Sequence, residues 1–319
     1  MTDAAHVREL ITRFHAKDRV ALNRLVSLVA RGESIDLIRA EFSADGPDVR
    51  LIALTGNSGV GKSTLTGQLI SEIRSRDQTV AVLACDPESA LTGGALLGDR
   101  VRMSAHTGDD GVWIRSLAAA SGRQAITDHL DLAASLLGRF GFEHVLLETV
   151  GAGQGDVAVE SLADVVVLLI QPATGDQLQW EKAGVLEVAD VVVVHKGDLP
   201  GAERTETQVR EALNLPGCSE TPVLRISSVT REGIAELWSV LEGHSSITIS
   251  ARRNARSLLR VVQDQLAKYF SDSPETVQMV VEQWVDGRLN NVEAADQVLA
   301  DLIRADCAVT APAAKNNTP

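Results

Sequence analysis

The sequence predicts a doubly wound α/β fold, a mostly parallel sheet with helices on both faces, on the strength of three observations. An apolar stretch, Leu51-Ile52-Ala53-Leu54, breaks into Gly56-Asn57-Ser58-Gly59-Val60-Gly61-Lys62-Ser63-Thr64 and then resumes at helical spacing. Apolar runs such as Val165-Val166-Val167-Leu168-Leu169-Ile170 and Val191-Val192-Val193-Val194 do not alternate with polar residues, as expected of strands buried on both faces. Strand and helix patterns also follow one another in turn from residue 50 to residue 242.

Taken in order, residues 1–45 read as a helical N-terminal extension. Val7, Leu10, Ile11 and Phe14, then Leu22, Leu25, Val26 and Val29, then Ile35, Ile38 and Phe42 recur at helical spacing. The turn cluster Ser43-Ala44-Asp45-Gly46-Pro47-Asp48 closes it. Residues 46–246 form the nucleotide domain, with strands expected near 50–55, 79–85, 143–149, 164–171, 189–195 and 222–227. Helices are expected near 62–76, 124–139, 177–188, 203–214 and 231–242. After Ser246 the strands stop, and residues 247–306 read as helices separated by Asp272-Ser273-Pro274 and Asn290-Asn291. Residues 307–319, polar and rich in Pro and Ala, read as a disordered tail.

Composition narrows the function. With 319 residues and 45% hydrophobic content the chain can fill a sizeable core, and a net charge of −13 argues against a nucleic acid or an anionic membrane as partner. Cys85, Cys218 and Cys307 lie far apart with no C-x-x-C pair, so neither a disulfide framework nor a sequence-local zinc site is indicated. No apolar run reaches membrane-spanning length and the N-terminal stretch is charged and mixed, which reads as a cytoplasmic protein.

The stretch Gly56 to Thr64 is G-x-x-x-x-G-K-[ST], set between a strand and a helix as that motif requires. Gly56, Asn57, Ser58, Gly59, Val60, Gly61, Lys62, Ser63 and Thr64 can wrap backbone N–H groups around a polyphosphate. Lys62 can reach its terminal phosphates, and Ser63 can ligate Mg²⁺. Carboxylates follow the neighbouring strands: Asp86, then Asp99 thirteen residues on, and Glu148. A hard, oxygen-seeking Mg²⁺ needs such groups, and Glu148 is read that way. For Asp86 and Asp99, turn and helix-cap chemistry explains the positions equally well. After the fifth strand comes His195-Lys196-Gly197-Asp198, where K-x-D can read guanine: the Asp198 carboxylate accepts the base's N1 and N2 hydrogens and the Lys196 stem covers one ring face. Ser227, Ser228 and Val229 add backbone N–H groups for the base carbonyl. A polar strand-end turn remains the alternative.

Together these blocks resemble the methylmalonyl-CoA mutase-associated GTPases, P-loop GTPases that act as chaperones for adenosylcobalamin-dependent acyl-CoA mutases. The resemblance runs from about residue 8 to about residue 304. It is carried by Gly56 to Thr64, Asp86 to Met103, Ile114-Arg115, Glu148-Thr149-Val150-Gly151-Ala152-Gly153-Gln154 and Gly175-Asp176-Gln177-Leu178-Gln179. It implies GTP and GDP as ligands with Mg²⁺, GTP hydrolysis, and catalytic roles for Lys62, Asp86, Asp99 and Glu148. It further implies that Asp86, Asp99 and Glu148 organise the metal and the hydrolytic water, and that Gly151 is among the nucleotide contacts. The segment from Gln177 to Lys182 would be a switch signalling to the mutase, and the C-terminal helices would build a homodimer.

Three departures accompany the resemblance. His195 stands where the guanine motif usually has Asn; the stretch after Arg115 keeps Ser121-Gly122 but lacks the usual Leu-Gly-Gly; and Trp180-Glu181 replaces the common Gly-Ile. The last two point to a subtype serving a mutase other than the methylmalonyl-CoA one. Two other readings share the phosphate loop. A nickel-delivery metallochaperone GTPase would be expected to display a Cys/His cluster, and none is evident in the sequence. An ATP-dependent kinase would need a site for an acceptor substrate.

Overall fold

A computed structural model describes residues 4–42, 49–87, 108–119, 129–149, 163–172, 189–213, 221–244 and 275–309, together with Leu186, Val262 and Leu266. Three helices come first: α1 (Ala4–His15), α2 (Arg19–Ala30) and α3 (Ile35–Phe42). Asp18 caps α2, its carboxylate accepting from the Val20 N–H at 2.7 Å while pairing with Arg13 at 2.6 Å. That satisfies a donor which the first helical turn leaves without an intrahelical partner.

Then come β1 (Arg50–Gly56), α4 (Lys62–Arg74), β2 (Val80–Pro87), β3 (Val112–Ala119), α5 (Leu130–Phe140), β4 (His144–Glu148), β5 (Val165–Ile170), β6 (Val191–His195), α6 (Ala202–Leu213), β7 (Val223–Ile226) and α7 (Ile234–Gly243). The strands form one seven-stranded sheet, ordered β3-β2-β4-β1-β5-β6-β7, and every pairing is parallel. The doubly wound expectation holds, with one strand more than the six anticipated. The extra strand, β3, sits at an edge and pairs only with β2. It carries the half-buried Ile114, Arg115 and Ser116 in place of an uninterrupted apolar run.

Alternate side chains feed opposite faces of the sheet. Ala53, Leu83, Trp113, Leu147 and Val166 pack with α1, α2, α3 and α5. Leu168, Ile170, Val192 and Val194 continue that face beside α6. On the other face Ile52, Leu54, Val82, Leu146, Val167 and Val193 pack with α4 and α7. The N-terminal helices therefore share the main core: Phe14 lies edge-on to Phe42 and Phe140, and the indole N–H of Trp113 donates to Asn23 at 2.9 Å.

The chain divides into two compact units, 1–253 and 254–319. In the second, α8 (Glu275–Val285) and α9 (Asn291–Val309) form a helical pair, and α9 continues past residue 306, where the sequence pattern ended it. The part of the expected helical region that precedes Asp272 and the helix expected near 177–188 lie largely outside the described residues, as do residues 310–319. No described helix is long and apolar enough to cross a membrane.

At the amino end of the sheet, His144 opens β4 with both ring nitrogens buried and without hydrogen-bond partners, against the face-to-edge indole of Trp238, whose own N–H is likewise unpartnered. Burial holds the His144 pKa below its ordinary value, with Arg50 adding to the effect and Glu143 and Glu242 opposing it. The sign follows: below the ordinary histidine pKa of about 6.5 the unfolded chain binds a proton that the folded chain resists. His144 therefore contributes no penalty from protonation above that pH, and an increasing one as pH falls through it. His144→Leu should raise the unfolding free energy at pH 7.5 by about 1 kcal/mol, read from the urea midpoint, because it removes unsatisfied buried polar atoms, and should raise it further at pH 6. A midpoint lowered at both pH values, or an increment that ignores pH, would contradict this account.

Candidate functional site

In an all-parallel sheet the strands release their chain at a common, carboxyl end, and that is where the motif residues gather. β1 lies at the centre between β4 and β5. At its end the backbone turns through Gly56 (φ +146°), Gly59 (φ +78°) and Gly61 (φ +106°) into α4, conformations that disfavour a side chain. Space matters as much as torsion: a Cβ on Gly56 would lie 2.5 Å from the Leu169 carbonyl oxygen, and one on Gly61 would lie 2.5 Å from Nδ1 of His195.

Lys62 opens α4 with its side chain buried, and its ammonium donates to the carbonyls of Gly56 (2.8 Å) and Asn57 (3.3 Å). The amine is thus folded over the loop it belongs to. Ser63, one residue on, donates its hydroxyl hydrogen bond to Oε1 of Glu148, the last residue of β4 and a nearly fully buried carboxylate. Two groups 85 residues apart, both expected at a metal, are therefore in direct contact. A hydroxyl and a carboxylate are the hard oxygen donors Mg²⁺ takes, and they fit it.

Ala84 of β2 pairs with Glu148, so Asp86, two residues later, stands further along at the same end of the sheet. Asp99 and Gly151 lie outside the described residues, and among those that are described no group of three or more His, Cys, Asp or Glu side chains is assembled to hold a metal.

The second half of the site is built by β6 and β7. Lys196, held at φ +59°, reaches back to the Gly59 carbonyl (2.9 Å) and to Oε1 of Gln171 (2.6 Å), which lays its stem across this end of the sheet. Asp198 accepts from the Ser227 hydroxyl at 2.6 Å, and that bond holds its carboxyl below the ordinary aspartate range, so it is a standing anion. Ser227 Oγ in turn accepts from the N–H groups of Val229 and Thr230, each at 3.2 Å, and the Ser227 N–H donates to the Glu232 carbonyl. Of the three N–H groups expected to face a base, those of Ser227 and Val229 are turned inward, to the Glu232 carbonyl and to Ser227 Oγ. Behind them His195 is buried, with Nδ1 2.7 Å from the Val60 carbonyl oxygen and Nε2 2.7 Å from Ser228 Oγ. Sequence reasoning treated this histidine as a departure and assigned it no contact.

A glycine-lined phosphate loop at the centre of a parallel sheet, with a buried lysine, a Ser–carboxylate pair and a separate K-x-D corner, defines a P-loop nucleotide-binding protein. Residues 22–275 match the family described as methylmalonyl Co-A mutase-associated GTPase MeaB, and the chain belongs to that family. It is a GTPase. A Pyrococcus horikoshii protein is 33% identical over 313 residues, covering 93% of this chain and 98% of its own. The Mycobacterium tuberculosis protein named Probable GTPase is 37% identical over 261 residues, 76% of each chain. Among solved structures, the one titled LAO/AO transport system kinase covers 95% of this chain and 99% of its own, with a TM-score of 0.67 at 20% identity, a likeness of fold.

Lys62→Ala removes the buried positive charge beside the phosphate loop. Loss of one preorganised electrostatic group commonly costs about 100-fold in rate, and single-turnover GTP hydrolysis should fall by about that factor. Hydrolysis at the wild-type rate would remove Lys62 from the machinery.

Proposed function

We propose that this chain is a Mg²⁺-dependent switch GTPase that gates cofactor loading and protection of an adenosylcobalamin-dependent acyl-CoA mutase, and that it works as a homodimer in the cytoplasm. The observation that carries the reading is membership, over residues 22–275, of a family whose description joins a GTPase to methylmalonyl-CoA mutase. In this reading Gly56 to Thr64 cradle the phosphates, and Lys62 sets its charge against the β- and γ-phosphates. Ser63 with Glu148, Asp86 and Asp99 would hold the metal and orient the hydrolytic water. The bound Mg²⁺ supplies neutralisation of the charge that develops on the phosphate oxygens. Gly151 joins the nucleotide contacts.

Lys196, Asp198, Ser227, Ser228 and Val229 form the guanine corner. Support comes from the anionic Asp198, held by the Ser227 hydroxyl, which would accept the two base hydrogens while the Ser228 N–H would meet the base carbonyl. Dimerisation through the C-terminal helices is supported by the apolar side chains that α8 and α9 leave to solvent, Met279, Trp284, Val285 and Val292 among them. Asp198→Asn should exchange preference from guanine toward xanthine nucleotides, since an amide donates where the carboxylate accepted. Competition binding with GDP, XDP and ADP reads this out. ADP competing as well as GDP against the wild type would leave the corner with no role in base choice.

The partner assignment has its own measurement. Coupling is reciprocal: a mutase that prefers the GTP-bound form must itself be bound more tightly when GTP is present. An adenosylcobalamin-dependent acyl-CoA mutase from the same source should bind nucleotide-dependently and accelerate hydrolysis. Trp180→Ala or Lys182→Ala, in a segment outside the described residues, should weaken the acceleration and spare intrinsic hydrolysis. Absence of acceleration, or its survival in both variants, would defeat the switch role of Gln177 to Lys182.

A further inference from the structure

His195 sits where the two halves of the site meet, next to the Lys196 bond to Gly59. Its ring fills the space a side chain on Gly61 would need, one residue before Lys62. On one edge Nδ1 lies 2.7 Å from the Val60 carbonyl oxygen, in the phosphate loop; on the other, Nε2 lies 2.7 Å from Ser228 Oγ, in the loop after β7. The chemistry of these partners fixes the ring. A carbonyl oxygen only accepts, so Nδ1 carries the hydrogen; in the neutral ring Nε2 is then an acceptor, and the Ser228 hydroxyl donates to it. Burial favours the neutral form, depressing the pKa against the smaller opposing effect of the Val60 bond; Lys196 beside it acts with burial and Asp198 against it.

We propose that His195, as the neutral Nδ1–H tautomer, is the positioning residue that locks the base-reading loop of Ser227 and Ser228 to the phosphate loop, so that nucleotide affinity depends on this one imidazole. The proposal rests on the guanine reading of Lys196 and Asp198 given above. A neutral imidazole offers one donor and one acceptor on opposite edges. An asparagine amide also offers a donor and an acceptor, whereas an aliphatic residue offers neither. With Ser228 held, the loop after β7 keeps its place; with Val60 and Gly61 held, the turn into Lys62 keeps its shape. The two loops are 168 residues apart in sequence, Val60 to Ser228, and no other hydrogen bond among the described residues joins Ser228 to the phosphate loop.

The test uses the full-length protein and fluorescent GDP. His195→Asn should keep GDP affinity within about threefold of wild type. His195→Leu, which loses both bonds, should weaken it by about tenfold or more, and Ser228→Ala, which loses only the Nε2 bond, should fall between. Nitrogen-15 NMR of the imidazoles, with His195→Asn identifying the signal, should report a protonated Nδ1 and a bare Nε2 in the GDP complex. Thermal melts screen each variant for folding; should His195→Leu not fold, Ser228→Ala and the NMR signal carry the decision. An Nε2–H tautomer or an imidazolium in the complex would overturn the proposal, as would full affinity in His195→Leu or Ser228→Ala, or failure of His195→Asn to rescue. ADP binding the wild type as tightly as GDP would strike the guanine reading instead, and the tautomer and the ordering of the variants would still decide the role of His195.

Discussion

The site depends on a backbone that approaches its neighbours more closely than any side chain would permit. At Gly56 the chain runs against the Leu169 carbonyl of β5, and at Gly61 against the ring of His195 at the end of β6. Both residues also have positive φ, so an alanine at either position would be strained and would collide. The phosphate loop is therefore pinned from the side of β5 and β6. Lys62 can emerge buried, with its ammonium over the Gly56 and Asn57 carbonyls, only because the loop that precedes it has nowhere else to go.

Placing β1 between β4 and β5 then determines what the loop can meet. The register Leu54↔Glu148 brings the end of β4 level with the start of the loop, and the Ser63 hydroxyl closes onto the Glu148 carboxylate from the first turn of α4. The bond ties the first turn of α4 to a buried carboxylate at the end of β4. On the far side, β6 and β7 end level, His195 paired with Ile226, and deliver Asp198 and Ser227 to each other. The sheet order thus sets the Ser63–Glu148 pair and the Lys196–Asp198 corner to either side of the phosphate loop.

Much of this was legible because it is local or periodic. The phosphate loop is a contiguous motif, and the buried strands announce themselves as unbroken β-branched runs. Strand β3 escaped because an edge strand need not be apolar throughout, and Arg115 and Ser116 interrupt the run. The N-terminal helices read as an extension because helical spacing reveals that a face is buried and not what buries it. Here Phe14, Leu22 and Leu25 lie in the same core as Leu147 of the central sheet. Sequence also placed Ser227, Ser228 and Val229 at the base without separating them. Which N–H turns inward depends on the Ser227 hydroxyl, which accepts from its own loop while donating to Asp198. The contacts of His195 were invisible for the same reason: they depend on tertiary proximity across 135 and 33 residues.

The described frame also says where change can enter. Its polar side chains at the carboxyl end bridge elements distant in sequence: Ser63 to Glu148, Thr149 to Thr55, Lys196 to Gly59, His195 to both Val60 and Ser228. Hydrogen bonds that share donors and acceptors in a water-poor setting polarise one another, so disturbing one is felt at the next. Pro87 of β2, Ala119 of β3, Thr149 beyond β4 and Gln171 beyond β5 stand at the edge of this network. Each is rooted at a strand terminus, at the same end of the sheet as the phosphate loop. A disturbance at the phosphate loop is therefore felt at the ends of several strands at once.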